Sequence, residues 1–519
     1  MKKYIYISLA ALLAFSSCNF LKEDPHTKYP LSKYFNDEEE AMLYLYGAYS
    51  QVKNTVFGTD FMYLTDTMTD DIDYTNTNIS RKDVSGLTLS STNSLVKSVW
   101  TKFYAVIEQC NILIDQMTKK PDLSPMNAKM MIAEGRFMRA WSYFNLVQLW
   151  GDVPLVTIPV YNIETDNIMP KRAEKGQVLD FIVSELEDVS SILPDTPGSV
   201  SVLSGITYKF TISKAAAKLL LGKVYQFMGQ NEDVIETLSY FMEGAEPSVK
   251  FELCSHFNYI YDTRYKDVEE RSKEILWEMV ASAETSLNNT WHREVAPSEL
   301  QGPAGETLLG NTNGYQSYNP SYNLIKNYSN NDLRYLEGFQ FTSSSRPHFL
   351  KGYDTETLNQ NLGGANVIIL RVADAYLTLA ESYARMSNGE MARKLVNVVR
   401  ERAQLTPLES SVAGDDLLDA ILLERRLEFA GEGAYRLYDL RRTGKYVETM
   451  AAFNAENQEL SLDAATANFV NPTSGKKTGN LNIPFFYVTK NATEKHLLLP
   501  IPNDERISNP NLTQNPMWN

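Results

Sequence analysis

The sequence predicts a mainly α protein in which tetratricopeptide-like (TPR-like) helix pairs form a scaffold, long irregular loops cover it, and β structure is limited to minor hairpins. Three observations predict this. Apolar residues recur every three or four positions through several long segments, the spacing of one helix face. Two such segments stop at a small turn and resume, as stacked helix pairs do. Between them lie stretches rich in Gly, Asn, Asp, Ser and Tyr that are too long to be simple connections.

Composition bounds the rest. The 519 residues are 43% hydrophobic and 11% aromatic, enough for one large core or a few smaller ones. With 64 acidic and 49 basic side chains the net charge is -15, which argues against a non-specific nucleic-acid binder. No run of apolar residues is long enough for a membrane-spanning helix. The 30 Tyr against 5 His and 3 Cys give more material for stacking and hydrogen bonding than for metal or nucleophilic chemistry.

In chain order, Lys2 and Lys3 precede an apolar run from Tyr4 to Phe15, then Ser16, Ser17 and Cys18. A basic start, a short apolar stretch and small residues make residues 1–17 an export signal. Cys18 stands at the acylated position of a bacterial lipoprotein, and residues 18–35 read as a lipidated tether. Removing 1–17 takes Lys2 and Lys3 with it and leaves 47 basic against 64 acidic side chains, a charge of -17 on 502 residues.

Residues 36–245 form an N-terminal helical region and 246–519 a C-terminal region carrying the binding loops, and the two are expected to make one compact unit. Val96, Trp100, Phe103, Ile107, Cys110, Ile114 and Met117 advance at helical steps, which assigns Trp100 and the Cys110 thiol to the core. Ala133, Phe137, Ala140, Phe144 and Val147 do the same up to Gly151 and Pro154, which stop a helix. Ala216 to Phe227 turn at Gly229 into Val234, Leu238 and Phe241, and Val372 to Tyr383 turn at Asn388-Gly389 into Leu395 and Val398. Thr69–Ser94, Glu284–Tyr322 and Ser343–Asn366 read as the long loops.

The loops hold the candidate site. A pyranose offers an apolar C–H face and a rim of hydroxyls, so it needs aromatic platforms beside short amide, carboxylate or hydroxyl side chains. Trp291, Tyr315 and Tyr318 with Asn311 and Asn313 fit this requirement, as do Tyr74 with Asp73, Asn76 and Asn78. No cofactor is expected. The histidines show no metal-ligand spacing, and Asp70, Asp71 and Asp73 lack the glycine that an EF-hand loop requires. Arg425-Arg426 and Arg441-Arg442 stand among Glu424, Glu428, Glu432 and Asp439, so internal ion pairing is expected rather than an anion site.

Four segments carry a family resemblance. Ala133-Glu134-Gly135-Arg136-Phe137 through Trp150-Gly151-Asp152-Val153-Pro154, Leu370-Arg371 through Glu381, Glu424-Arg425-Arg426 through Gly444, and Leu499-Pro500-Ile501-Pro502 through Pro516 occur in the family's order. The chain resembles the SusD/RagB family of Bacteroidetes outer-membrane lipoproteins. The resemblance implies a SusD-like fold and no enzymatic activity. It also implies a surface position as the lid of a SusC-like TonB-dependent outer-membrane transporter, to which the protein hands an oligosaccharide or, in the RagB branch, a peptide. A surface glycoside hydrolase is the reading from another class.

Overall fold

The computed structural model describes residues 35–56, 58–74, 76–120, 125–162, 168–195, 211–242, 250–283, 288–296, 300–301, 307–309, 314–341, 347–354, 363–462, 469–470, 477–478 and 488–518. Cys18 and the signal segment lie outside these residues. Among the described residues no helix is long and apolar enough to cross a membrane.

Each apolar stripe is a helix. Ser94–Lys119 starts where Asn93 Oδ1 accepts from Leu95 N at 2.9 Å, the usual repair of an orphan N–H at a helix start. Pro125–Trp150 runs beside it and ends at Gly151, whose φ of 73° needs no Cβ. The Lys175–Ile192 helix covers the second of these, fastened by Glu185, which takes Arg136 at 2.7 Å and Arg139 at 2.6 Å. The first family segment thus acts as scaffold.

The two TPR-like pairs are present as expected. Lys214–Met228 is followed by Asn231–Leu238, and Val372–Arg385 by Gly389–Arg402. Both pairs pack on each other through the Val372–Arg385 helix. Within the first pair the contact is close at Gly222, where a Cβ would lie 2.5 Å from Leu238.

The long loops contain more regular structure than their composition indicates. Thr69–Ser94 includes the Ile72–Tyr74 strand and the Ile79–Ser85 helix, the latter capped by Asn78. Ile72–Tyr74 pairs antiparallel with Tyr318–Pro320, so each strand is made by a partner far away in sequence, which local pattern does not reveal. Leu300–Gln301 with Thr307–Leu309, and Phe339–Phe341 with Pro347–Phe349, are the minor hairpins.

One large apolar cluster runs from Phe35 to Leu512, and a small second one gathers Cys254, Phe257, Ile260, Ile275 and Ile368. Trp100 is buried in the large one, edge-on to Trp150 at 5.2 Å. Cys110 and Cys254 are both free and buried, and burial pushes the Cys110 thiol up to about 12. The C-terminal segment closes on the same core: Trp150 Nε1 donates to Pro500 O at 3.0 Å, and Asn515 Nδ2 donates to Trp150 O and Leu499 O.

Charge is buried as well. Arg334, Arg371, Arg400, Arg402 and Lys351 meet Glu274, Asp332, Glu424, Glu428 and Glu432, five cations against five carboxylates. Glu428 is central. Burial works against its ionisation, but the Arg402, Arg371 and Arg334 guanidiniums outweigh that and hold its carboxyl well below the usual range. Internal pairing of the arginine pairs therefore holds, with a difference in the partners. Arg425 reaches Asp374 at 3.0 Å and Asp439 at 2.8 Å, Arg426 reaches Asp71 at 2.6 Å, and Arg442 reaches Glu381 at 2.6 Å. None of these lies at helical spacing; Arg442 with Asp439, at 2.8 Å and three residues apart, does. Arg441 instead donates to the carbonyls of Gln148 and His496.

Glu428→Gln leaves Arg371 and Arg402 short of a carboxylate in a dry interior, and urea unfolding should read a loss of about 3–5 kcal/mol against the parent chain.

Candidate functional site

The pairing of Ile72–Tyr74 with Tyr318–Pro320 brings the two predicted aromatic groups together, Tyr74 opposite Tyr318. Both pack around Tyr63 on the Asp60–Asp66 helix, a residue the sequence reading did not single out. Ring centres lie 5.3 Å from Tyr63 for Tyr74, 5.6 Å for Trp291 and 6.0 Å for Tyr318, all edge to face. Trp291 and Tyr318 are 4.6 Å apart.

This geometry corrects the expectation that Trp291, Tyr318 and Tyr74 are open platforms. Trp291 is 3% exposed, Tyr74 3% and Tyr318 0%, because the rings fill one another's space in the core. Asp73 is buried with them. Asn311 and Asn313 lie outside the described residues. Tyr315 alone of the predicted aromatics presents its ring, with 51% of its surface exposed.

Tyr315 is held from behind. Its N–H donates to Arg293 O at 2.7 Å, and Ser317 N donates to Glu294 O at 3.0 Å, which ties the segment to the Trp291–Val295 helix. Gln316 follows at φ 41°, a left-handed conformation that costs a non-glycine residue of order 1–3 kcal/mol and marks a shape enforced by its surroundings. The Arg293 guanidinium lies 5.2 Å from the Tyr315 ring centre.

Beside it runs a polar edge. Asn76 is half-buried, and Thr77, Asn78 and Ile79 are exposed. Asn76 Oδ1 accepts from Thr77 N at 2.6 Å and Asn78 Oδ1 from Arg81 N at 3.1 Å, so their acceptors are used locally and their amide N–H groups make no hydrogen bond among the described residues. Arg81 stacks over the Tyr63 ring at 4.0 Å and donates to Glu294 Oε2 at 3.3 Å and Thr59 Oγ1 at 3.1 Å. Glu294 also takes Tyr63 OH at 2.7 Å and Ser317 Oγ at 2.9 Å. Arg81, Arg293, Glu294 and Tyr63 are thus site residues missed in the sequence. Only Arg81, three residues after a capping Asn in a loop poor in cations, left a trace there.

Under the aromatic group lie four carboxyls, Asp66, Asp70, Asp71 and Asp73. Asp70 and Asp71 bind Arg426, and Asp70 binds Arg436 at 2.8 Å. These aspartates are therefore engaged by arginine. Asp66 accepts from Tyr318 OH, and burial nonetheless raises it to about 7. Burial likewise raises Asp73 to about 7, offset in part by Lys490. Lys490 is enclosed by the carbonyls of Thr67, Thr69 and Ile72, and burial lowers it to about 8.

Comparison with known proteins places this frame. Residues 19–226 match a family model described as "Starch-binding associating with outer membrane", and residues 288–518 match the model of the SusD family. The chain belongs to the SusD family. This SusD-family protein is 26% identical over 477 residues to SusD-like protein P2 of Formosa agariphila, covering 85% of this chain and 91% of that one. It is 25% identical over 474 residues to a SusD-like protein of Bacteroides ovatus, covering 81% of each. A SusD homolog from Bacteroides thetaiotaomicron superposes with a TM-score of 0.74 at 21% identity, covering 95% of this chain and 99% of that one. A laminarin-binding SusD-like protein does so at 0.70 and 24%, covering 93% and 99%. These structures share the fold.

The raised carboxyls set a pH dependence. A carboxyl lifted from 3.8 to about 7 by folding keeps its proton only in the folded state across that window. Its stabilisation is complete below about pH 4 and is lost as pH rises through about 7. Asp73→Asn removes that slope. Thermal melts from about pH 5 to 8 should show the parent chain losing stability relative to Asp73→Asn by up to about 1.4 kcal/mol per pH unit below 7.

Proposed function

We propose that this SusD-family protein is a lipid-anchored cell-surface protein that binds glycan chains at the Tyr315 edge and delivers them to a SusC-like TonB-dependent outer-membrane transporter. The observation that carries the reading is the exposed Tyr315 ring, fixed by backbone bonds and backed by the Arg293 guanidinium. A pyranose can lay its C–H face on that ring while its hydroxyls meet the Asn76 and Asn78 amides and the guanidiniums of Arg81 and Arg293. The wording of the matched family model and the laminarin-binding neighbour support the same ligand class.

The role is binding without bond cleavage. Hydrolysis of a glycosidic bond needs two carboxyls facing the sugar, one of them free to donate a proton. Glu294, beside the platform, is 1% exposed and occupied by Tyr63, Ser317 and Arg81, while Asp73 lies beneath the aromatic group. The buried Trp291, Tyr318 and Tyr74 serve as the rigid floor that keeps the Tyr315 edge in one shape before ligand arrives.

Calorimetry of the chain starting at Asn19 against a panel of oligosaccharides and peptides tests the ligand class. Tyr315→Ala should weaken the best glycan by several-fold to about tenfold, and Arg81→Ala should weaken it comparably, while Tyr161→Ala, on another exposed segment, leaves it unchanged. Equal affinity in the parent and Tyr315→Ala chains would reject the site, and a preference for peptide would reject the ligand class. In cells, Cys18→Ala should abolish fatty-acid labelling and release the protein from the membrane fraction, and the parent chain should co-purify with a TonB-dependent barrel.

A further inference from the structure

A groove of about 620 Å³ that shares no residue with the Tyr315 edge lies between the Glu269–Glu274 helix, the segment 252–255 and the second TPR-like pair. Small-molecule sites are usually about 300–1,000 Å³ in volume. Leu253 and Tyr376 are half-buried on its walls and Val398 is exposed at its rim. Arg402, 8% exposed, forms its floor.

Arg402 is the exception in the buried charge network. Arg334, Arg371 and Arg400 each use all three guanidinium nitrogens in hydrogen bonds. Arg402 uses one. Its Nη2 donates to Glu428, while Nε and Nη1 make no hydrogen bond. Glu274 Oε2 stands 3.7 Å from Nη1, too far to accept from it, and accepts from Cys254 N at 2.6 Å instead. The Phe257 ring centre lies 5.0 Å from the guanidinium carbon, which adds an aromatic face and no acceptor. A buried cation with N–H groups left over is short of an acceptor that the described residues do not supply.

Charge decides which acceptor fits. The network already sets five cations against five carboxylates, so a carboxylate or phosphate ligand would bring an uncompensated negative charge to a dry interior. The groove walls disfavour an anion further. Glu252 is paired with Lys250 and Lys273, but Glu270 and Glu401 make no ion pair among the described residues. Glu270 takes only Ser255 N, at 2.7 Å. The ligand's acceptor must therefore be neutral, and a cation on the same molecule has two carboxylates to meet.

We infer that this groove binds a small primary amine that carries a neutral oxygen acceptor. The acceptor meets Arg402, the ammonium meets Glu401 and Glu270, and the apolar body lies against Leu253, Tyr376 and Val398. An α-amino amide and an amino sugar both present this chemistry. Neither uses the Tyr315 ring, so the inference does not rest on the glycan reading.

Ligand-observed NMR titration of the chain starting at Asn19, at about pH 6.5 where an α-amine is protonated, tests it. The probes are leucinamide, leucine, isocaproamide, glucosamine and glucose. Saturable binding of leucinamide or glucosamine is expected, and whichever binds names the source. Leucine, whose carboxylate replaces the amide, and isocaproamide, which lacks the amine, should each bind about threefold or more weaker than leucinamide, and glucose weaker than glucosamine by the same factor. Glu401→Gln, at an exposed position, should weaken the amines about threefold and leave isocaproamide and glucose unchanged. Leu253→Trp should weaken all of them by filling the groove, and Tyr315→Ala should leave amine binding as it is. Absence of saturable binding by both leucinamide and glucosamine overturns the inference. So does leucine binding as tightly as leucinamide, amine binding that neither groove variant alters, or amine binding that Tyr315→Ala abolishes.

Discussion

Arg425 and Arg426 are neighbours on one helix, yet one reaches Asp374 and Asp439 and the other reaches Asp70 and Asp71. The constraint behind this arrangement governs the molecule. A helix that buries consecutive arginines must find carboxylates for each of them, because an unpaired charge in the interior costs several kcal/mol. The Gly414–Phe429 helix does so by drawing in Asp374 on the TPR-like pair and Asp71 in the N-terminal half, while its own Glu424 and Glu428 take Arg334 and Arg371. Apolar packing makes the core large, and the charge pairing decides which segments meet in it.

The proposed binding edge depends on that pairing. Arg426 holds Asp71, the residue before the Ile72–Tyr74 strand. That strand pairs with Tyr318–Pro320, which locks Tyr318 against Tyr63 and Trp291. Tyr63 in turn shares Glu294 with Ser317 and Arg81, and the chain of contacts from scaffold to surface ends at Tyr315, tied to the backbone of Arg293. The family segments therefore do not touch ligand in this account. They fix the frame on which a short surface is displayed.

Much of the frame was legible in the sequence. Stripes such as Val96 to Met117 are helices because a 3.6-residue period buries one face, and Gly151 and Gly229 end helices because they adopt positive φ. The ion pairing of the arginines was legible from composition, though its long-range partners were not. The site was legible only as a neighbourhood. Tyr74, Trp291 and Tyr318 do come together, but an aromatic in a polar loop looks the same in sequence whether its ring faces solvent or another ring. Tyr63 lies on a short helix without any marking pattern, and Glu294 acquires its role from Arg81, which is 213 residues away. Such roles follow from tertiary pairing and have no local signature.

The central claim is that a single exposed ring on a rigid aromatic floor is where this SusD-family protein takes its ligand. A crystal structure of the chain starting at Asn19, soaked with the oligosaccharide that binds it most tightly, tests that most directly. The account predicts a pyranose stacked on Tyr315, its hydroxyls bonded to Arg81, Arg293 or the Asn76 and Asn78 amides, with Trp291 and Tyr318 unmoved beneath. Sugar density elsewhere on the molecule, with the Tyr315 ring bare, would contradict it.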